Sequence, residues 1–484
     1  MVYTEEAASL SPNSISLSHF SEFGNWFGQA FGEVNEMKIK CPRLESIPLT
    51  PFISSLSALE ITDCSDLTSL QEVMEYCELL DCLVIEGCDT LESVGQLPSS
   101  LKRLQIRSCG NLLFLFEDGE ANHINASILQ YLYVSGCRAL ESLTSTGQLP
   151  EALKHLEIHN CSQLTTLGQL PETLKHLEIK TCLDLEMLSS QDHLPESLKH
   201  LSIVHCPITT LSSTGHLPES LQHIHIEFCS NLTRLSLGQL PATLKYIKIN
   251  HCGINSIADS LLNLRSLQEI DIIDCPIRDF PQGGLPRASL RVFSISSCEH
   301  LESLPSSIHT LNSLQEMRIV NLPSLSSFPQ QGFPRNLTSL FITSLPIYDQ
   351  VMRRLHKLTS LRNLHIGGCQ NAVCFPKEGM EMMLPTSLTR LTLTNFIQLR
   401  RLFPHGFRNL ASLECLRISD CPNLTSFLEE DLPSSLLALY ISNCPNLTIH
   451  CGNGGQYWYK ISNIPYVEID TKYIHTPEPV LSHQ

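Results

Sequence analysis

The 484-residue chain has no run of 18 uninterrupted apolar residues, so no membrane-spanning helix is expected from it. It is short of positive charge, with 32 Lys and Arg against 49 Asp and Glu and a formal net charge of −17. Sequence-independent binding to nucleic acid or to an anionic membrane needs clustered positive charge, so neither partner is expected. The basic runs that exist (Arg353, Arg354 and Lys357; Arg400, Arg401 and Arg408) are short. The N-terminal MVYTEEAASLSPNS has neither a basic n-region nor an apolar h-region, so no secretory signal is expected and the chain reads as cytoplasmic. Catalytic signatures are missing as well: there is no G-x-S-x-G elbow, no H-E-x-x-H and no G-x-x-x-x-G-K-[ST] phosphate loop. The chain is therefore not expected to be an enzyme, and no catalytic residue or cofactor is assigned.

What is present is one phrase repeated. Residues 153–161 read LKHLEIHNC, 174–182 LKHLEIKTC, 198–206 LKHLSIVHC and 221–229 LQHIHIEFC. In register these give L-x-x-L-x-I-x-x-C, with x-x-L-x-x-L following in most copies, at intervals of about 21 to 28 residues. The last Leu and the Ile alternate with polar residues, the period-two pattern of a half-buried strand. Leu156 and Ile158 are thus expected to point inward, with His155, Glu157 and His159 facing out. Stacked repeats predict an α/β repeat solenoid: a leucine-rich-repeat horseshoe with a long parallel β-sheet on its concave face. The returning segments carry Leu-Pro (Gly-Gln-Leu-Pro at 95–98, 147–150, 168–171 and 238–241). They are expected to be extended or short turns, because Pro lacks the N–H a helix needs. The longer units near Leu261–Leu267 and Leu304–Leu314 have room for one helical turn. The boundaries read as an irregular segment 1–33, a solenoid 34–450 of about 18 repeats, a C-terminal cap 451–470 containing Trp458 and Tyr459, and a disordered polar tail 471–484.

Fourteen of the twenty cysteines, among them Cys64, Cys161, Cys229, Cys369 and Cys444, share one repeat position, where a ladder of buried free thiols is expected rather than disulfides. No C-x-x-C pair or spaced Cys/His tetrad occurs, so no metal site is expected. N-x-[ST] sequons occur at Asn125, Asn231, Asn336, Asn423 and Asn446 among others, the last four within a recurring Asn-Leu-Thr that duplication explains.

Extended concave surfaces are how solenoids bind, so the outward strand positions are the candidate partner-binding site. They comprise Tyr131, Tyr133, His155, Glu157, His159, His176, Glu178, His200, His223, His225, Tyr246, Lys248, Asp271 and Arg318. Tyr and Arg are the expected energetic anchors. His155, His176, His200 and His223 fall in one column of four successive strands, so adjacent imidazoles should lie within about 5 Å and respond to pH together. Beside them run Lys154, Lys175, Lys199 and Lys245, which favour solubility and an acidic partner.

The L-x-x-L-x-I-x-x-C units, the LPxSLKxLxI connections, LPSSIHTLNSLQEM and the terminal WYKISNIPYVEID resemble the leucine-rich-repeat region of plant intracellular immune receptors, over roughly residues 34–470. The type is the coiled-coil nucleotide-binding leucine-rich-repeat class of disease resistance proteins. The resemblance implies that the repeats recognise a pathogen effector or a guarded host protein and autoinhibit a nucleotide-binding switch. This chain shows no phosphate loop and no N-terminal coiled coil, so a nucleotide-binding receptor half would be a separate partner, or the chain a fragment or truncated remnant. Rival readings are a substrate-recruiting subunit of a ubiquitin ligase, for which residues 1–33 are short and polar, and a receptor ectodomain, whose paired-cysteine caps and L-x-G-x-I-P pattern are missing.

Overall fold

The computed structural model describes residues 8–11, 14–18, 35–47, 53–116, 128–145, 147–189, 193–212, 214–257, 261–280, 284–377, 384–402, 407, 409–425, 432–452 and 454–475. The chain divides into two units, Met1–Gly253 and Ile254–Gln484. Each is a leucine-rich-repeat solenoid built from one short strand per repeat.

In the first unit ten five-residue strands, from Glu36–Lys40 to Tyr246–Asn250, pair in parallel with their neighbours. The register is that of the sequence repeat: Leu132, Leu156, Leu177, Leu201, Ile224 and Ile247 lie side by side, as do Val134, Ile158, Ile179, Ile203, Ile226 and Ile249. All twelve are buried, so the alternation that predicts a half-buried strand also sets which face is core. The Leu-Pro returns are turns, not helices. The amide of each first repeat leucine is bound by the proline carbonyl three residues earlier, as in Leu153 N to Pro150 O (3.1 Å) and Leu174 N to Pro171 O (3.0 Å). The Ser or Thr just before that leucine reaches the preceding repeat: Ser100 Oγ donates to Leu80 O (2.8 Å), Ser197 Oγ to Leu174 O (2.7 Å) and Ser220 Oγ to Leu198 O (2.7 Å). A short helix, Gln71–Tyr76, buries Val73 and Met74 in one return and was not expected. The segment read as irregular carries strands Ala8–Ser11 and Ser14–Ser18; the second joins Glu36–Lys40 in parallel and extends the sheet. Trp26 and Phe27 of that segment lie outside the described residues.

Among the described residues of the second unit, nine strands from Glu269–Ile273 to Tyr466–Ile469 pair in parallel in one sheet, and Cys374–Phe375 pairs in parallel with Arg401–Leu402 in a separate one. Single turns of 3-10 helix occur at Leu261–Asn263 and Ile308–Thr310, two places with room for them. Two more elements, Tyr348–Met352 and Leu355–Lys357, were not expected. At the C-terminal end the helices Pro445–Cys451 and Trp458–Ile461 precede the last parallel strand. Ile461, Ile464, Val467 and Ile469 are buried there, whereas Tyr459 is exposed. The chain then forms strand Lys472–His475, antiparallel to Tyr466–Ile469, inside the stretch read as a disordered tail. Backbone pairing, which side-chain polarity does not report, holds it. Residues 476–484 lie outside the described set.

The cysteines of the repeat are free, and all but Cys369 of that column are buried. Each thiol typically donates to the carbonyl two residues back, as in Cys161 to His159 O (3.4 Å) and Cys252 to Asn250 O (3.1 Å). A neighbouring thiol and burial push the Cys88 and Cys109 thiols up to about 12. The sequon asparagines also staple repeats: Asn231, Asn336, Asn423 and Asn446 each donate from Nδ2 to a carbonyl 24 to 26 residues earlier. Asn125 lies outside the described residues. Among the described residues no helix is long and apolar enough to cross a membrane.

Candidate protein-recognition surface

Twelve of the fourteen candidate residues stand on six adjacent strands of the first unit, Tyr131–Ser135, His155–His159, His176–Lys180, His200–Val204, His223–Glu227 and Tyr246–Asn250. They occupy first, third and fifth strand positions, all on the face opposite the buried Leu/Ile columns. Asp271 and Arg318 belong to the second unit, on Glu269–Ile273 and Glu316–Val320. Asp271 is half-buried, with Oδ1 lacking a hydrogen-bond partner. Arg318 is exposed and lies over the Phe341 ring at 4.5 Å.

The first strand position forms a continuous ladder of rings. Successive centroids are 6.3 Å (Tyr131–His155), 5.7 Å (His155–His176), 5.6 Å (His176–His200), 4.1 Å (His200–His223) and 4.7 Å (His223–Tyr246). Strand spacing of about 4.8 Å imposes that period, and the last three rings stack nearly flat, at interplanar angles of 12° and 10°. Burial lowers the imidazole pKa of His155, His200 and His223, and neighbouring imidazoles and lysines add to it. Packing in the ladder thus favours the neutral form of these three imidazoles. Lys154 and Lys245, from the column beside them, donate to Gln130 and Gln222 at 3.1 and 3.0 Å.

The third and fifth positions hold a polar network. Tyr133 OH lies 3.4 Å from His159 Nδ1, and His159 Nε2 lies 3.0 Å from Glu178 Oε1. Lys180 Nζ bonds the same Glu178 oxygen, and Arg107 sits 5.3 Å from the Tyr133 ring centroid. Further along, His225 Nε2 meets Glu227 Oε2 at 3.2 Å, and Asn250 donates to Glu227 Oε1 at 2.7 Å. Lys248 is exposed.

A fourth column was missed in the sequence reading. The residue after each strand adopts a left-handed backbone in almost every repeat, and in three successive ones it is aromatic: His205 (φ 57°), Phe228 (φ 54°) and His251 (φ 49°). Their rings pack at 5.9 and 4.6 Å, and Phe228 is 46% exposed. Asn, Asp, Gly or Ser fill most other copies of this position, so the signal was a bulky residue where small polar ones recur.

The second unit has a cavity of about 650 Å³ at the same strand ends, lined by Asn321, Ser344, Tyr348, Asp349, Cys369 and Lys377 among others. Asp349 and Lys377 pair at 2.6 Å, and the buried Tyr348 hydroxyl lacks a hydrogen-bond partner. It coincides with a break in the cysteine column, where Leu322, Leu345 and Phe396 replace Cys. The break is readable in the sequence; the cavity, which depends on the unexpected helix Tyr348–Met352, is not.

No protein-family model matches the chain. A protein of Arabidopsis thaliana named as disease resistance protein At3g14460 is 35% identical over 191 residues, 40% of this chain. The match spans only 13% of that relative's length. Among solved structures, the leucine-rich-repeat protein LIC12759 of Leptospira interrogans is 18% identical with a TM-score of 0.43, covering 90% of both chains. The leucine-rich effector YopM of Yersinia pestis is 23% identical with a TM-score of 0.38, over 63% of this chain and 69% of its own. By the strand register and buried columns described above the chain is a leucine-rich-repeat solenoid, and 191 of its residues are similar to part of a plant disease resistance protein.

Proposed function

We propose that this chain is a protein-recognition and regulatory module of plant innate immunity, acting in the cytoplasm. The observation that carries the reading is the ring ladder Tyr131–His155–His176–His200–His223–Tyr246 with the polar network beside it. Six rigid rings held in register, flanked by hydrogen-bonding groups, form a preorganised surface of the kind that anchors protein interfaces at low entropic cost. The disease-resistance name of the Arabidopsis relative supports the immune setting. The ligand in this reading is a pathogen effector or a guarded host protein, and a nucleotide-binding receptor half docks separately and is held inactive.

The test is capture from plant cytosol on the folded chain, alongside a variant with Tyr131, Tyr133 and Tyr246 all replaced by Ala. Recovery of a nucleotide-binding receptor half, an effector or a host target by the native chain and not by the variant supports the reading. Recovery of ubiquitin-ligase scaffold proteins instead would contradict it.

A further inference from the structure

We propose that Glu157, His159 and Glu178 form a binding site for a divalent transition-metal ion of the Zn²⁺ type on the outward face of the first unit. Glu157 and His159 are two residues apart on one strand and so share a face; Glu178 stands directly opposite Glu157 on the next. One donor atom from each of the three lies within 4.8 Å of the other two. The tightest pair, His159 Nε2 and Glu178 Oε1, is at 3.0 Å. A tetrahedral ion with bonds of about 2.1 Å holds its donors about 3.4 Å apart, so small side-chain rotations bring the three to bonding distance.

The surroundings fit a cation. Two carboxylates directly opposed across paired strands repel unless positive charge lies between them. Lys180 supplies part of that charge, bonding Glu178 from its own strand. Outer partners are also in place. Tyr133 OH contacts His159 Nδ1, leaving Nε2 to face the carboxylate. One imidazole and two carboxylates suit Zn²⁺, Co²⁺ or Ni²⁺ rather than Mg²⁺ or Ca²⁺. The three donors leave at least one coordination position for water or a donor from another molecule. Sequence spacing hides this site, because it is the sheet register that brings residue 178 to residue 157.

The experiment is calorimetric titration of metal-stripped, reduced full chain with ZnCl₂ near pH 7.5, with visible spectra of the Co²⁺ form. One ion should bind, with d–d bands of nitrogen and oxygen ligation and no thiolate charge-transfer band. Glu178→Gln and His159→Asn should each weaken binding about tenfold or more. Lys180→Met, which removes the competing ammonium, should tighten it; a merely structural role for this cluster predicts no such gain. Circular dichroism confirms that each variant is folded, and His200→Gln/His223→Gln serves as the control that leaves affinity unchanged. The proposal is overturned by no binding up to about 1 mM Zn²⁺, or by affinity insensitive to Glu178→Gln and His159→Asn. Thiolate bands, or loss of the ion in the His200/His223 control, would also overturn it.

Discussion

At Thr181 the backbone sits at φ 55°, a conformation that costs an L residue roughly 1–2 kcal/mol and that a β-branched side chain tolerates poorly. Gly87, Gly136 and Gly368 occupy the same repeat position without that strain. Thr181→Gly should therefore stabilise the chain by about 1 kcal/mol, less the entropy glycine gains on unfolding; a lower urea midpoint for the variant would show that the threonine contributes more than it strains. The histidines make a second residue-scale prediction. Burial is the first cause of the lowered pKa at His155, His200 and His223. His176 adds to it at His155, where Glu157 opposes; His223, His176, His155 and Lys199 add at His200, and Lys245 at His223. The unfolded chain thus binds these protons more readily than the folded one. The stability from neutral rings is complete above the unfolded value near 6.5 and is lost as pH falls through the depressed folded-state values. The urea midpoint should drop between pH 7.5 and pH 5.5, and drop less in His200→Gln/His223→Gln; an equal drop would remove the ladder as its cause. Which residues face outward was legible at this scale, because period two assigns each side chain to a face. Ring geometry and donor convergence were not, since both depend on register between strands.

At the scale of the repeat, hydrophobic columns are only half of what joins one unit to the next. Ser100, Ser197 and Ser220 each place a hydroxyl on a leucine carbonyl of the preceding repeat. Ser197→Ala leaves the Leu174 carbonyl without that donor and should cost about 1 kcal/mol, measured by urea unfolding; an unchanged midpoint would mean water replaces the hydroxyl. The Leu-Pro turns, the buried cysteines and the helical turns near Leu261 and Ile308 were legible from composition and spacing. The helices Gln71–Tyr76 and Tyr348–Met352 were not, because they are too short to carry a helical period. The strand Lys472–His475 escaped for a related reason: its partner, not its own polarity pattern, makes it a strand.

For the whole molecule, each repeat contacts its neighbours along the chain, so damage should spread locally before it spreads globally. Leu177 is fully buried between Leu156 and Leu201, and Leu177→Arg would place an unpaired charge in that column. Hydrogen exchange should then lose protection first in the strands His155–His159, His176–Lys180 and His200–Val204, while the second unit keeps its own. Uniform loss across both units would contradict a repeat-by-repeat architecture. The repeat architecture was the most legible feature of all, being written about eighteen times over. The candidate surface was legible as a set of columns, because each strand places its first, third and fifth residues on one face.

The most direct measurement is the affinity of a captured partner for the native chain and for the folded Tyr131→Ala/Tyr133→Ala/Tyr246→Ala variant, by calorimetry at one pH and salt concentration. Loss of aromatic anchors at the centre of an interface costs about 2 kcal/mol or more, so binding should weaken roughly thirtyfold or beyond. Equal affinity in the two proteins, with both shown to be folded, would move the partner off this face and contradict the account.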